Sequence, residues 1–276
     1  MNFKRFAAAV SAAAVVCLLA LPACSGKGGS GDNPGASGDL LAQIQSKGEI
    51  TIALEGTWAP WGYHDENNQL VGYDVEIGQA IADKLGVTAN FVEGEWSGLL
   101  AGLEVGRYDI MINGMDVDEG RREKYDFSTP YAYNRTVVIT RADDDSIQAM
   151  EDLDGKTTAN TLQSTYEAVG VKYGATVTPV DDFIQTIELL TDHRIDATLN
   201  AEVSYYDYLK AHPDAPIKIA CTDPDVTQVA IPLRKGEETK TLREAIDQAL
   251  AELSQDGVLS QLSEKYFGMD ISREGN

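Results

Sequence analysis

The chain has 276 residues and carries 44 acidic against 22 basic side chains, a formal charge of −22 at neutral pH. Nucleic-acid backbones and anionic lipid surfaces both select clustered Lys and Arg, so a surface of this sign excludes them as partners and mainly confers solubility. The three cysteines, Cys17, Cys24 and Cys221, are too few and too scattered for a disulfide framework.

Residues 1 to 23 place Lys4 and Arg5 before an apolar stretch from Phe6 to Leu21, the layout of an export signal. That stretch is too short and too rich in alanine for a membrane span. It ends in Leu21-Pro22-Ala23-Cys24, which resembles the lipobox of bacterial lipoproteins. The resemblance implies cleavage before Cys24 and a diacylglycerol thioether on its sulfur. Only Cys221 would then keep a free thiol, so no intramolecular disulfide is possible, and loss of Lys4 and Arg5 makes the mature chain more acidic still. Ser25 to Asp39 contains six Gly, three Ser and one Pro, with no aliphatic side chain larger than Ala. Such a segment cannot bury enough apolar surface to fold and reads as a flexible tether with a reach of roughly 20 Å.

The roughly 240 residues from Leu40 onward suffice for two lobes or one large domain, and strand-like and helix-like segments alternate as in an α/β protein. Ile50 to Leu54 predicts a first strand. Asp74 is a candidate N-cap for a helix with Ile77, Ala80, Ile81 and Leu85 on one face and Gly86 closing it. Phe91-Val92, a short helix over Leu99 to Leu103, and a strand over Asp109 to Ile112 follow. A long apolar strand, Thr136 to Thr140, precedes a second block of the same kind. In it Lys156 to Ala159, Thr176 to Pro179 and Ile195 to Leu199 predict strands, and Thr165 to Val171, Phe183 to Leu190 and Val203 to Lys210 predict helices. Val229 to Leu233 predicts a strand returning to the first block. Glu237 to Ser254 and Val258 to Tyr266 predict closing helices, the first with a core stripe of Leu242, Ala245, Ile246, Ala249, Leu250 and Leu253.

The most informative tract runs from Asn113 to Tyr131. The buried run Ile110-Met111-Ile112 opens into Asn113-Gly114-Met115-Asp116-Val117-Asp118-Glu119-Gly120 and then the basic pair Arg121-Arg122. A guanidinium offers a planar fork to a carboxylate, and free backbone N–H groups at a strand-to-helix turn favour anions. This tract resembles the signature of solute-binding proteins of polar amino-acid ABC importers. Leu54 to Trp61, Leu70 to Val75, Trp96 to Gly98, Lys124 to Ser128 and Leu262 to Gly268 are also similar to landmarks of that family. Their wording is closest to the cystine-binding branch, although short blocks track ancestry better than pocket chemistry.

The resemblance implies a two-lobed α/β periplasmic-binding-protein fold (type II, Venus-flytrap), with a ligand cleft between the lobes and two crossover hinge strands. It implies lobe 1 at 40–137 plus 230–276 and lobe 2 at 138–229, with hinges near Val137 to Thr140 and Gln228 to Leu233. Gly114 and Arg121 match positions that hold the substrate α-carboxylate, with Asn113 at the strand end beside them. Trp58 and Trp96 match aromatic walls, Glu55 an acidic position near the ligand side chain, and Ser164 and Thr165 the turn that closes from the second lobe. Two departures concern the amino group: Asp116 stands where the family usually has Thr, and Ala201 where it has the ammonium-binding Asp. An unpaired ammonium is costly in a closed cleft, so Asp116, with Asn200 or Glu202, is expected to take that contact. Gln163-Ser164 also replaces the usual Gly-Thr pair.

The implied function is a lipid-anchored extracytoplasmic receptor, without cofactor or metal and expected to be monomeric. It would deliver a polar amino acid, cystine first and glutamine or glutamate as alternatives, to a membrane permease and its ATPase. An enzyme on the same scaffold is the rival reading, since paired carboxylates could do acid–base work. His64, His193 and His212 have neither metal-ligand spacing nor an evident nucleophile partner.

Overall fold

The structure is a computed structural model that describes residues 38–275. The export signal, Cys24 and nearly all of the tether lie outside the described residues. In chain order the elements are α1 (Leu40–Lys47), β1 (Glu49–Leu54), β2 (Thr57–Trp58), β3 (Gly62–His64), β4 (Leu70–Val71), α2 (Tyr73–Leu85), β5 (Thr88–Glu93), α3 (Trp96–Glu104), β6 (Ile110–Met111), α4 (Glu119–Lys124), β7 (Tyr125–Phe127) and β8 (Ala132–Arg141). After a 3₁₀ turn at Met150–Leu153 come β9 (Thr157–Thr161), α5 (Thr165–Lys172), β10 (Thr176–Val180), α6 (Phe183–Thr191), β11 (Thr198–Ala201), α7 (Glu202–Ala211), β12 (Ile217–Val229), β13 (Pro232–Arg234), α8 (Glu237–Gln255) and α9 (Val258–Phe267).

β1 is the centre of a parallel sheet of order β5-β1-β6, and Ile50, Ile52, Ala53 and Leu54 on it are fully buried. A strand covered on both faces tends to be apolar along its length, and β1 is so from Ile50 to Leu54 except at the partly buried Thr51. The second block holds a parallel β9-β10 pair, and β8 lies antiparallel between β11 and β12. The long strands β8 and β12 link the blocks, in the two-lobed arrangement that the resemblance implies. Among the described residues no helix is long and apolar enough to cross a membrane.

Three sequence expectations are corrected. Gly72, not Asp74, caps α2, and it makes no side-chain cap bond. With φ +134° and a Cβ that would fall 2.3 Å from the Trp61 carbonyl, that position admits little but glycine. The strand expected over Ile195 to Leu199 starts later, at Thr198 in β11, and just before it Ala197 makes a single isolated bridge to Thr158. The strand expected over Val229 to Leu233 is two: β12 ends at Val229 and β13 starts at Pro232, pairing with β7. The sequence reading also missed most of β12, whose Thr-Asp-Pro-Asp stretch masks the pattern and whose register shifts between Thr222 and Val226.

Asp74 is buried instead of capping. Its Oδ1 accepts from the Tyr131 hydroxyl at 2.7 Å, and its Oδ2 makes no well-formed hydrogen bond. Burial pushes the carboxyl up to about 7, eased only in part by Tyr131 and the nearby Gly114 N–H. A carboxyl raised in the folded state contributes stability that is complete below the unfolded value near 4 and is lost as pH rises toward 7. For a fully buried group this amounts to about 2–4 kcal/mol. Asp74→Asn keeps the Tyr131 acceptor without the charge, so the fall in melting temperature between pH 4.5 and pH 8 should be clearly shallower than in the parent. Parallel melting curves across that window would show that Asp74 is not the titrating group.

Candidate functional site

A cavity of about 530 Å³ between protein atoms, its mouth included, opens between the two blocks. Glu55, Trp58, Trp96, Asn113, Gly114, Asp116 and Arg121 line it from one side, and Ser164, Thr165 and Asn200 from the other. Ten of the eleven ligand positions expected from sequence therefore surround one space. Glu202 does not: it lines a separate depression with Tyr133, Arg135 and Arg273, and its carboxylate accepts from Tyr206.

Arg121 lies in α4, whose N-cap Asp118 accepts from the Arg121 N–H at 2.8 Å. Its side chain is 11% exposed. Nη1 donates to the Asp116 carbonyl at 2.8 Å and the Thr165 hydroxyl at 2.9 Å, Nη2 to the Gln163 carbonyl at 3.0 Å, and Nε lies 3.4 Å from the Asp118 carboxylate. The guanidinium also sits over the Trp96 ring, 5.4 Å from its centroid. The fork is thus positioned from both sides of the cavity, and a ligand carboxylate there would replace the Thr165 and Gln163 acceptors. Gln163 holds φ +64°, the left-handed conformation that a glycine adopts freely and that costs a residue with a side chain a modest amount of backbone strain.

Gly114, at φ +54°, shapes the floor. A Cβ there would come within 2.7 Å of the Trp58 ring and 3.2 Å of Trp61. Trp58 stacks on Trp61 at 5.4 Å and meets Tyr166 edge-on at 6.4 Å. Asn113 acts through a neighbour: its Oδ1 accepts from the Glu55 N–H at 2.8 Å and its Nδ2 donates to Glu55 Oε2 at 2.7 Å. Glu55 is pushed up to about 7, first by burial and further by the carboxylates of Glu95 and Asp182, against the pull of Asn113.

Asp116 is buried at the junction of the crossover strands. Its Oδ1 accepts from Thr227 on β12 at 2.7 Å and from Asn134 on β8 at 3.4 Å. Burial raises its carboxyl, opposed by Thr227, Arg121, Thr165 and Asn134. Ser164 caps α5 by accepting from the Glu167 N–H, and Asn200 Oδ1 accepts from the Ala201 N–H.

Sequence reasoning missed Thr57, Thr161, Tyr166, Asp182 and Phe183, all of which line the cavity. Of these only Asp182 carried a signal, as an Asp immediately before a helical apolar run; it does cap α6.

Residues 50–269 match the model of the bacterial extracellular solute-binding proteins, family 3. The chain belongs to that family. It is 35% identical to the L-cystine-binding protein TcyA of Bacillus subtilis, over 94% of this chain and 96% of that one. In fold it is similar to an ancestral arginine-binding protein bound to arginine, with a TM-score of 0.74 and 34% identity over 80% of this chain and 99% of that one. It is also similar to the L-cystine solute receptor of Neisseria gonorrhoeae in the unliganded open conformation, with a TM-score of 0.60 and 37% identity over 86% and 100%. The fold is accordingly the type II periplasmic-binding-protein fold, and the family member is an extracytoplasmic binding component of a transporter rather than an enzyme.

Proposed function

We propose that this family member captures a polar amino acid, with L-cystine the first candidate, and passes it to the permease of an ABC importer driven by a cytoplasmic ATPase. The observation that carries this reading is the Arg121 fork, 11% exposed and steered into a cavity whose other walls include two indoles, three carboxylates and several hydroxyl and amide side chains. A buried guanidinium of this kind suits an α-carboxylate, and Asp116 is available for the α-ammonium. Relatives named for L-cystine support the ligand, and the arginine-bound relative supports a basic amino acid as the second reading, favoured by the acidic end around Glu55.

In this reading 40–137 with 230–276 forms lobe 1 and 138–229 forms lobe 2, hinged near Val137 to Thr140 and Gln228 to Leu233. Ligand contacts from both lobes stabilise the closed form that the permease recognises. The hydrogen bonds from Arg121 to Thr165 and Gln163 support a closed cleft in this structure. A lipid on Cys24 would hold the monomer at the membrane through its tether.

The test is a thermal-shift screen of the purified protein against the common amino acids and L-cystine. A ligand that binds only the folded form raises the melting temperature, by about 2.7 kcal/mol of stability at a hundredfold excess over Kd. A sharp rise with one of them is expected. No rise with any would mean that the cleft serves another class of solute.

A further inference from the structure

Asp74 is a buried carboxyl that does not line the cavity. It lies 1% exposed at the start of α2, and among the described residues it makes no ion pair. Oδ1 accepts from the Tyr131 hydroxyl at 2.7 Å, while Oδ2 has no well-formed partner. A neutral amide would accept from Tyr131 equally well without the cost of desolvating a carboxylate. The open oxygen therefore calls for another use.

The cavity floor supplies one. Burial holds both the Asp74 carboxyl and the Tyr131 hydroxyl back from ionising, and the Gly114 N–H lies near enough to each to act against that. Gly114 has no room for a Cβ against Trp58 and Trp61, and Asn113 before it is held by Glu55. Tyr131 in turn reaches the crossover strands. It immediately precedes β8, its N–H donates at 2.9 Å to the carbonyl of Val229 at the end of β12, and its own carbonyl accepts from the Tyr73 hydroxyl at 3.0 Å. The titratable groups facing Asp74 are Tyr73 on its own helix and Tyr131, with Asp270 after α9 near Tyr73.

We propose that Asp74 is a positioning residue for the ligand site: its carboxylate holds the Gly114 N–H from behind the floor and, through Tyr131, fixes that floor against the feet of both crossover strands. The inference rests on the amino-acid reading above. An ionised Oδ2 is the stronger acceptor for an N–H and keeps Gly114 seated where the ligand and both indoles must fit. A protonated Oδ2 carries a hydrogen of its own and loosens that hold. Burial raises the Asp74 carboxyl to about 7, so the hold, and ligand affinity with it, strengthens as pH rises through that value. Asp74→Asn keeps an acceptor for Tyr131 and places an NH2 group where Oδ2 stands, which imitates the protonated form at every pH.

The experiment is a series of 1H–15N spectra of the ligand-free intact chain from about pH 5 to about pH 9, followed by calorimetric titration with L-cystine and L-arginine. The Gly114 amide resonance should pass through a transition in the parent that Asp74→Asn loses. Tyr131→Phe removes a donor that eases Asp74 ionisation, so there the midpoint should move to higher pH. With whichever probe the parent binds more tightly, Asp74→Asn should bind at least fivefold more weakly at about pH 8.5 and within twofold of the parent at about pH 5.5. Glu55 and Asp116 remain in both proteins, so their titrations cancel from the comparison. The variant should also lose less stability on going to alkaline pH, so weaker binding there would not come from a weaker fold. A Gly114 resonance without a transition in the parent, or with the same transition in Asp74→Asn, overturns the proposal without reference to any ligand. Affinity within twofold of the parent at the alkaline end overturns it as well, and leaves the amino-acid reading intact. Failure of every amino acid in the thermal screen would remove that reading and the proposal with it.

Discussion

Arg121→Ala is expected to weaken ligand binding about a thousandfold, roughly 4 kcal/mol. The side chain is nearly buried and is the cavity's one basic residue among those described. Without it a bound carboxylate would be desolvated with no cation to face, the costly half of a broken ion pair. Arg121→Lys restores charge without the planar fork and should recover only part of the loss. The fold should tolerate both changes, because Asp118 is half exposed and can be hydrated while the other acceptors are single oxygens at the cleft surface. Titration calorimetry with the ligand found by thermal screening checks this, with circular dichroism as the control for folding. A loss smaller than tenfold in a folded Arg121→Ala protein would remove Arg121 as the anchor.

Asp116→Ala should cost about 2–4 kcal/mol of binding, since it removes the carboxylate proposed to meet the ligand ammonium. Its protein partners are not stranded by the change: the Thr227 hydroxyl keeps the Asn134 carbonyl as a longer acceptor at 3.4 Å, and Asn134 Nδ2 keeps the Tyr166 hydroxyl at 3.2 Å. The damage should therefore appear in affinity more than in stability. Asp116→Asn separates charge from shape and should lose nearly as much. The sign of the pH dependence follows from burial, which raises this carboxyl. An arriving ammonium favours the ionised form and expels any bound proton, so affinity should rise with pH across the raised carboxyl range, and less steeply in Asp116→Asn. An affinity within tenfold of the parent in Asp116→Ala would mean that the carboxylate serves the junction of the crossover strands and not the ligand.

Much of the local structure was legible because it obeys one-dimensional rules. The stripe of Ile77, Ile81 and Leu85 ending at Gly86 locates α2, and the run of Ile50 to Leu54, apolar but for Thr51, locates the buried central strand. Elements that depend on partners were less legible. β12 holds its irregular sequence in a strand by pairing along β8, and the Pro232 break matters only because β7 lies beside β13. Asp74 looked like a helix cap because Asp commonly is one; its use by Tyr131, 57 residues away, has no local signature.

The same division holds for the site. The family, the strand-to-Arg121 tract and ten of the residues that meet at the cavity are legible in the chain itself, because a guanidinium fork, indole walls and tight glycine turns each demand a particular residue type at a particular point in the chain. Which atoms those residues use on one another depends on the folded arrangement. It commits Asn113 to Glu55, ties Asp116 to Thr227 and Asn134, leaves Glu202 outside, and brings Asp182 to the cavity that Glu55 lines. Those outcomes depend on distance and desolvation between segments far apart in the chain, and both come into being only when the two blocks fold against the crossover strands.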